Sequence, residues 1–495
     1  VLGDQLNRHL GALRNATPTN TRVLMVESAT KLRSRSWHIQ RAHLVTSGMR
    51  HLAAELRAEG FEVDYQRAPS LREGLGRHRA QYAPTRVLAT EPASWDGLAM
   101  LSAEGVETVA TDQFLCHPSD FADWALGRNR LRMEDFYRWQ RRRLGYLMDG
   151  DEPAGGQWNF DHDNRKPPPR KPHPWPVPVH HELDDIDRAA LDDLHALRDS
   201  GAPIWGDDPT GVWPTTRARA LAQLRHAVQN VLPGFGPYED AMLSTNWHLS
   251  HTLLSPALNL GLLHPREVCD EIEAAYRRGE VPIASAEGAL RQIIGWREYV
   301  WGTYWSWMPE YRSTNELGAH RPLPPVFTGA STAMRCVEHT LSDVTHYGWT
   351  HHIQRLMVLG NLSLLAGVSP QALVDWMWEG FVDGAEWVML PNVLGMALHA
   401  DGGRMATKPY AAGGAYIHKM SDYCNGCAFD RTKRVGPDAC PFTTLYWDFL
   451  ARHRERFDSN PRVVQQVRAM GRLTDLEAVR ERAREVLQLL DDGRL

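Results

Sequence analysis

Short apolar, β-branched runs punctuate the first third of the chain and then stop. They fall at Arg22–Glu27, Phe61–Tyr65, Arg86–Thr90 and Val106–Ala110, and helical periodicity fills the gaps, most clearly over Ser36–Glu59. Strands alternating with helices predict a parallel sheet covered on both faces, with ligands bound beyond the strand C-termini. From about Thr215 onward only helical patterns remain, over Arg217–Val231, His264–Arg278, Ser285–Trp307, His351–Leu365, Pro370–Trp378 and Leu476–Leu490. The expected fold is therefore an α/β, Rossmann-like domain over 1–125, a basic and Pro-rich linker region over 126–214, and one large all-helical domain over 215–495. No G-x-G-x-x-G follows the first strand, so a dinucleotide site is not supported there. Gly3-Asp4-Gln5 and the stretch after Glu27 are the places where such a sheet would bind a ligand.

The helical half contains a cysteine cluster. Cys424-Asn425-Gly426-Cys427 is a C-x2-C pair, and Cys440-Pro441 follows thirteen residues on. Three thiolates this close can hold a soft metal centre, but such centres usually take four ligands. Of the other cysteines, Cys116, Cys269 and Cys336, the last lies in the same half and is the best fourth ligand. The Cys-Pro ending points toward an iron–sulfur cluster, and a four-thiolate zinc site fits the same residues. The bland reading, four inert buried thiols, gives no reason for C-x2-C spacing. Cys116 and Cys269 read as core.

With 55 Lys and Arg against 60 Asp and Glu, the net charge of -5 carries no global signature of nucleic-acid binding, so any basic surface must be local. One such stretch holds Arg128, Arg130, Arg132, Arg138, Arg141, Arg142 and Arg143, with Tyr137 and Trp139 among them. It reads either as a solvated helix face or as a contact to phosphate backbone. The proline-rich passage Asp151–Pro178 reads as an extended surface segment. Six cysteines, half of them clustered, do not form a secreted disulfide framework and favour a reducing cytoplasm. No signal peptide or bilayer-spanning run is apparent. Tryptophan is abundant at 18 residues, and beside a redox metal this suggests electron hopping.

Several passages taken together resemble the photolyase/cryptochrome superfamily, in particular its bacterial iron–sulfur branch of prokaryotic (6-4) photolyases and cryptochrome-like proteins. They are Gln292-Ile293-Ile294-Gly295-Trp296-Arg297-Glu298-Tyr299, His351-His352-Ile353-Gln354-Arg355, Leu390-Pro391-Asn392-Val393-Leu394-Gly395-Met396 and Thr407-Lys408-Pro409-Tyr410-Ala411-Ala412. The cysteine region, Leu445-Tyr446-Trp447-Asp448-Phe449-Leu450 and the opening Leu2-Gly3-Asp4-Gln5-Leu6 extend the likeness over nearly the whole chain. The resemblance implies an N-terminal antenna domain, a helical catalytic domain around FAD, and a [4Fe–4S] cluster on Cys336, Cys424, Cys427 and Cys440. It implies light-driven repair of UV-damaged DNA by an electron from reduced flavin, in a cytoplasmic monomer. The lesion must leave the duplex to reach the cofactor.

The same resemblance assigns individual residues. Thr252 and Ser255 would cradle the FAD phosphates, and Trp296 and Arg297 would line the flavin and lesion pocket. Arg355 and Asp383 would sit beside the isoalloxazine, with Asn392 on the same wall and Met389 where classical photolyases keep an asparagine against N5. His352 is the expected proton donor of a (6-4) enzyme, paired with His351, because histidine gives and recovers a proton near neutral pH. Tyr410 and Lys408 would line the lesion pocket. Trp376 matches an electron-relay position, but Met377 and Phe327 stand where further relay residues are expected, and Trp378 and Trp387 are the substitutes. Gly3, Asp4, Glu27 and Val45 suit an antenna pocket for 6,7-dimethyl-8-ribityllumazine, although Lys31 replaces an expected acid. Two other readings share these residues: a non-repairing blue-light photoreceptor, and a metal-bearing nucleic-acid-binding protein without photochemistry.

Overall fold

The computed structural model describes residues 1–495. The first third alternates strand and helix as its patterning requires. β1 (Arg22–Ser28) pairs in parallel with β2 (Glu62–Ala68), and β3 (Leu88–Thr90) with β4 (Glu107–Val109). The crossover helix Ile39–Ala58 is capped at its N-terminus by the His38 ring, which accepts from the Gln40 N–H.

The expected single Rossmann-like sheet is present only as these two separate parallel pairs. The reason lies in what runs between them. Residues 1–5 bridge the gap without a backbone ladder: the Val1 ammonium donates to Leu24 O, and the Gln5 side chain donates to Thr90 O and Glu91 O. Leu2 packs with Leu24, Leu75, Ala89 and Val106. Apolar burial therefore joins the two pairs where hydrogen bonding does not.

Residues 126–214 contain two well-packed helices. The helix Met133–Leu144 buries Phe136 and Tyr137 completely, and the helix Asp185–Asp199 packs against Ile39–Ala58. Asp187 on the latter is buried and accepts from His51, Ser47, Thr215 and Arg219, which ties the α/β unit to the first helix of the C-terminal half, Arg217–His226. Between the two helices, the proline-rich passage crosses the surface. It docks through Lys166 N–H on Pro237 O and through His173 and Trp175 edge-on to Tyr238.

From Thr215 onward the chain is helical, as the periodicity predicts. One apolar core centres on this half, around Tyr299, Leu365, Leu394 and Phe449, and takes in Ala93, Phe114, Phe121 and Phe136 from the earlier part of the chain. A second is shared, running from Val23, Met25 and Leu44 to Leu224, Leu258 and Ile272. Gly302 allows one close crossing: a Cβ there would collide with the Phe121 ring of the helix Pro118–Ala125. No helix is long and apolar enough to cross a membrane.

Candidate functional site

Four helices of the C-terminal half contain a wide π-helical turn, at Ala227–Val231, Arg291–Arg297, Gln354–Gly360 and Pro391–Ala397. Such turns re-aim side chains and concentrate at functional sites. Three of the four carry expected pocket residues: Trp296 and Arg297, then Arg355, then Asn392.

Arg355 and Asp383 form a bidentate pair at 2.9 and 3.1 Å, and the Ser255 hydroxyl donates to the same carboxylate at 2.7 Å. Asn259 donates to Asp383 O, so the helix beginning at Ser255 is fastened to this pair at two points. The Arg355 guanidinium lies 4.0 Å from the centre of the Phe381 ring. The loop before Ser255 holds Leu249 and Leu253 at φ +46 and +58, left-handed values that are uncommon for leucine and that cluster at functional sites. Thr252 is on this loop. Arg297 pairs with the buried Glu298 at 2.6 Å and lies over Phe114 and Trp387, while its Nε is buried without a partner. Met389 is buried, whereas the Asn392 side chain donates to Val388 O within its own helix. Trp296 is half-buried, edge-on to Tyr299.

The histidine pair is a triad in space. His251 stacks on His351 at 4.7 Å and 17°, and His352 stands 5.5 and 5.9 Å from the two rings. Their environments differ sharply. Burial pushes His251 and His351 well below the ordinary histidine value, and the neighbouring imidazoles add to that. Burial also pulls on His352, but the ion pair with Asp240 at 3.4 Å and the charge of Glu239 outweigh it and raise its pKa. The charged form is thus favoured at His352 and disfavoured at the two rings beside it. His351 Nδ1 accepts from the Ile353 N–H, which leaves the proton of the neutral ring on Nε2, a buried donor without a partner.

Tyr410 is half-buried beside the Lys408 ammonium, which is 5.9 Å from its ring centre. Burial raises its pKa, with Arg165, Asp161, Arg462 and Asp240 close enough to contribute. Asp240, Glu239, His251, Arg165 and Arg462 are the site residues that sequence reasoning missed. Arg165 and Arg462 are exposed, and Arg165 pairs with Asp161. The arginine run at 128–143 is spent internally only in part, and Arg130 and Arg132 are exposed. Arg141 is buried and donates to Tyr146 O, Trp158 O and Leu147 O, Arg143 donates to Leu115 O, and Arg138 pairs with Glu134. Arg128 and Arg142 lie over Trp124 and Trp158.

The four cysteines converge. Cys336, Cys424, Cys427 and Cys440 line one small cavity closed by Ile417, Tyr423, Phe429 and Phe442. Burial pushes Cys424 up to about 11 and Cys336 well above its ordinary range, and the charges of neighbouring thiols add to both. A cationic centre would reverse this. Sets of three ligand atoms within 4.8 Å of one another occur at His251, His351 and His352 and at His51, Asp184 and Asp187, but not among these sulfurs. Four thiolates converging on one cavity are donors that either a zinc ion or an iron–sulfur cluster takes. Gly414 completes the cradle, since a Cβ there would stand 2.9 Å from Cys440 Sγ. The cavity connects to the histidines: the Gln354 side chain donates to Tyr423 Oη at 2.9 Å and accepts from the His351 N–H at 3.2 Å.

Of the expected antenna residues, Gly3 is packed against Val45 and Met49, and Asp4, next in the chain, lies near Arg41 and Lys31. Glu27 opens on a groove of about 710 Å³ beyond the ends of β1 and β2, lined also by Arg33, Arg50, Arg67, Arg77 and Asp193. Its carboxylate is taken by Arg50 and Tyr65.

The family model described as "Deoxyribodipyrimidine photo-lyase-related protein" matches residues 1–202. A (6-4) photolyase of Agrobacterium fabrum is 38% identical over 512 residues, covering 99% of both chains. An uncharacterized protein of Acanthamoeba polyphaga mimivirus is 30% identical over 107 residues, 22% of this chain and 80% of its own. The crystal structure of a bacterial class III photolyase from Agrobacterium tumefaciens superposes with a TM-score of 0.55 at 14% identity, covering 99% and 96% of the two chains, and shares the fold.

Proposed function

The chain belongs to the photolyase-related family, and from that membership we propose that it repairs (6-4) pyrimidine photoproducts in UV-damaged DNA, using light and FAD. The observation that carries this reading is the histidine triad, in which His352 pairs with Asp240, favouring its charged form, beside the stacked rings of His251 and His351. Repairing this lesion requires a proton given to a group moving between bases and then recovered, and an imidazolium paired with a carboxylate does both near neutral pH. When bound, reduced FAD supplies the light-driven electron and takes it back.

The chain's own residues do the rest. Arg355 and Asp383 would hold the flavin and supply fixed charge beside it, and the loop carrying Thr252 and Ser255 would bind its phosphates. Trp296 and Tyr410 flank the extruded lesion, and His351 keeps its Nε2 proton aimed into the pocket. Arg165, Arg462 and Lys408 hold the phosphodiester backbone at the rim. Cys336, Cys424, Cys427 and Cys440 would hold a [4Fe–4S] cluster, supported by their convergence on one cavity and by the Gly414 cradle. Residues 1–125 form the antenna unit, 126–214 the connecting region and 215–495 the catalytic unit. A 6,7-dimethyl-8-ribityllumazine antenna would rest on Gly3, Asp4, Glu27 and Val45, of which Gly3 and Val45 are in contact.

The test is repair of an oligonucleotide carrying one (6-4) lesion, under blue light and in darkness, with His352→Ala alongside. Light-dependent repair that the variant loses is the expected result. No repair by flavin-loaded, reduced protein would favour a blue-light photoreceptor, which the buried Met389 also suits. Purified protein without flavin absorption would leave only a metal-bearing nucleic-acid-binding protein.

A further inference from the structure

We propose that a second cavity of the helical half is a binding site for a small aliphatic carboxylate. It lies between the loop 315–321, the end of the helix Asn361–Ala366 and the ends of the helices Pro441–Arg452 and Leu476–Asp491. It encloses about 440 Å³, within the range of roughly 300–1,000 Å³ usual for small-molecule sites. None of the residues assigned above to flavin, lesion or cysteine cluster lines it. Its wall includes Arg321 and Arg452 but no aspartate or glutamate. The remainder is largely aliphatic, with Leu317, Leu364, Leu398 and Leu487 in it, and holds no phenyl or indole ring.

The two guanidinium groups are fixed by partners outside that wall. Arg321 donates through Nη2 to Leu487 O and to Asp491. Its backbone is pinned as well, the N–H to Gly367 O at 3.0 Å and the carbonyl to the Ser369 N–H at 2.8 Å. Arg452 donates through Nε to Asp448 and through Nη2 to Leu365 O. Each arginine is thus oriented by an acid that does not line the cavity, and each keeps its Nη1 free of partners in the chain. A Cβ at Gly367 would stand 3.8 Å from Arg452 Nη1 and 4.0 Å from Arg321 Cδ, so the two side chains meet over this glycine. They are 33% and 31% exposed, which leaves them within reach of a solute.

The chemistry of the wall selects the ligand. The backbone N–H groups of Gly318, Ala319, Arg321, Gly367 and Val368 are all taken within the chain, so main-chain donors are not gathered there for the oxygens of a phosphate. Two free guanidinium nitrogens match the two oxygens of a carboxylate. Burial, with Arg452 and Arg456 beside it, pushes His453 on the same wall down to about 4, so that ring adds a hydrogen-bonding edge rather than charge. The leucines suit an alkyl chain, whose removal from water supplies the rest of the affinity.

The test is isothermal titration of the full chain, as purified, with butanoate, hexanoate and octanoate. Saturable one-to-one binding is expected, strengthening by up to about fourfold for each methylene buried. Octan-1-ol carries the chain without the charge and inorganic phosphate the charge without the chain, and both are expected to bind more weakly than octanoate. Arg321→Lys and Arg452→Lys keep a cation beside Asp491 and Asp448 but lose the second guanidinium edge. Each should weaken octanoate at least about tenfold. Melting temperature and circular dichroism report folding, and either variant, if folded, decides the point. No octanoate binding, octan-1-ol or phosphate binding as tightly as octanoate, affinity that is flat in chain length, or unchanged affinity in a folded lysine variant would each overturn the site. Repair plays no part in these readings, so their failure leaves the repair reading untouched.

Discussion

Replacing Asp240 with asparagine tests the charge placed on His352 directly. The carboxylate is 3.4 Å from His352 Nε2. Two unit charges at that distance interact by about 5 kcal/mol at an effective dielectric of 20 and by about 1 kcal/mol in a water-like medium. The His352 side chain is 47% exposed, so solvent screening selects the lower figure. That corresponds to about one pH unit. His352 is raised by Asp240 and Glu239 against burial and Arg355. Removing Asp240 therefore lowers it, and the imidazolium is lost at lower pH. The expected result is that the alkaline limb of repair, measured with chemically reduced protein on a (6-4) oligonucleotide, moves down by about one pH unit. The rate at the acidic plateau is retained, because His352 is still protonated there. A rate depressed equally at every pH, with the limb unmoved, would refute the charge argument and leave Asp240 only a steric role.

Other expectations follow from the same geometry. Arg355→Met leaves the buried Asp383 carboxylate without its cation, and should cost about 3–5 kcal/mol in urea unfolding together with loss of bound flavin. Unchanged stability and flavin content would exclude the bidentate pair as a holding element. Gly414→Ala forces a methyl to 2.9 Å from Cys440 Sγ and 3.1 Å from Arg431 Cβ. It should lower iron and sulfide content and cost about 1–3 kcal/mol by overpacking, and full iron loading would contradict the cradle. Burial raises the Asp343 carboxyl to about 7, against its hydrogen bond from Gln354. Its neutral form is thus favoured by folding, and stability falls as pH rises from about 4 toward that value. Asp343→Asn should flatten this slope and be the more stable protein at alkaline pH, which chemical denaturation at two pH values would detect.

The elements were legible wherever one period dominated. β1 and the helix Ile39–Ala58 fall within a few residues of their predicted limits, and Cys336, the fourth candidate chosen from the same half, joins Cys424, Cys427 and Cys440 at one cavity. Sheet continuity was not legible, because it depends on residues 1–5 making side-chain rather than ladder contacts, which no local pattern encodes. Within the arginine run, composition records charge, but not that the Arg141 guanidinium is consumed by three carbonyl groups while Arg130 and Arg132 stay exposed. The site was half visible. His351, His352, Arg355 and Asp383 sit in recognisable passages. His251 and Asp240 lie in unremarkable sequence about a hundred residues away, and only folding brings them to the pair.

The Gln354 side chain has one further consequence. It is held by the hydroxyl of Tyr423, the residue before Cys424, and it in turn fixes the His351 backbone. The cysteine loop therefore acts as a latch on the histidines from behind. A displacement of that loop would be passed through one amide side chain to the His351 backbone, so the two sites are mechanically joined although no residue is shared between them.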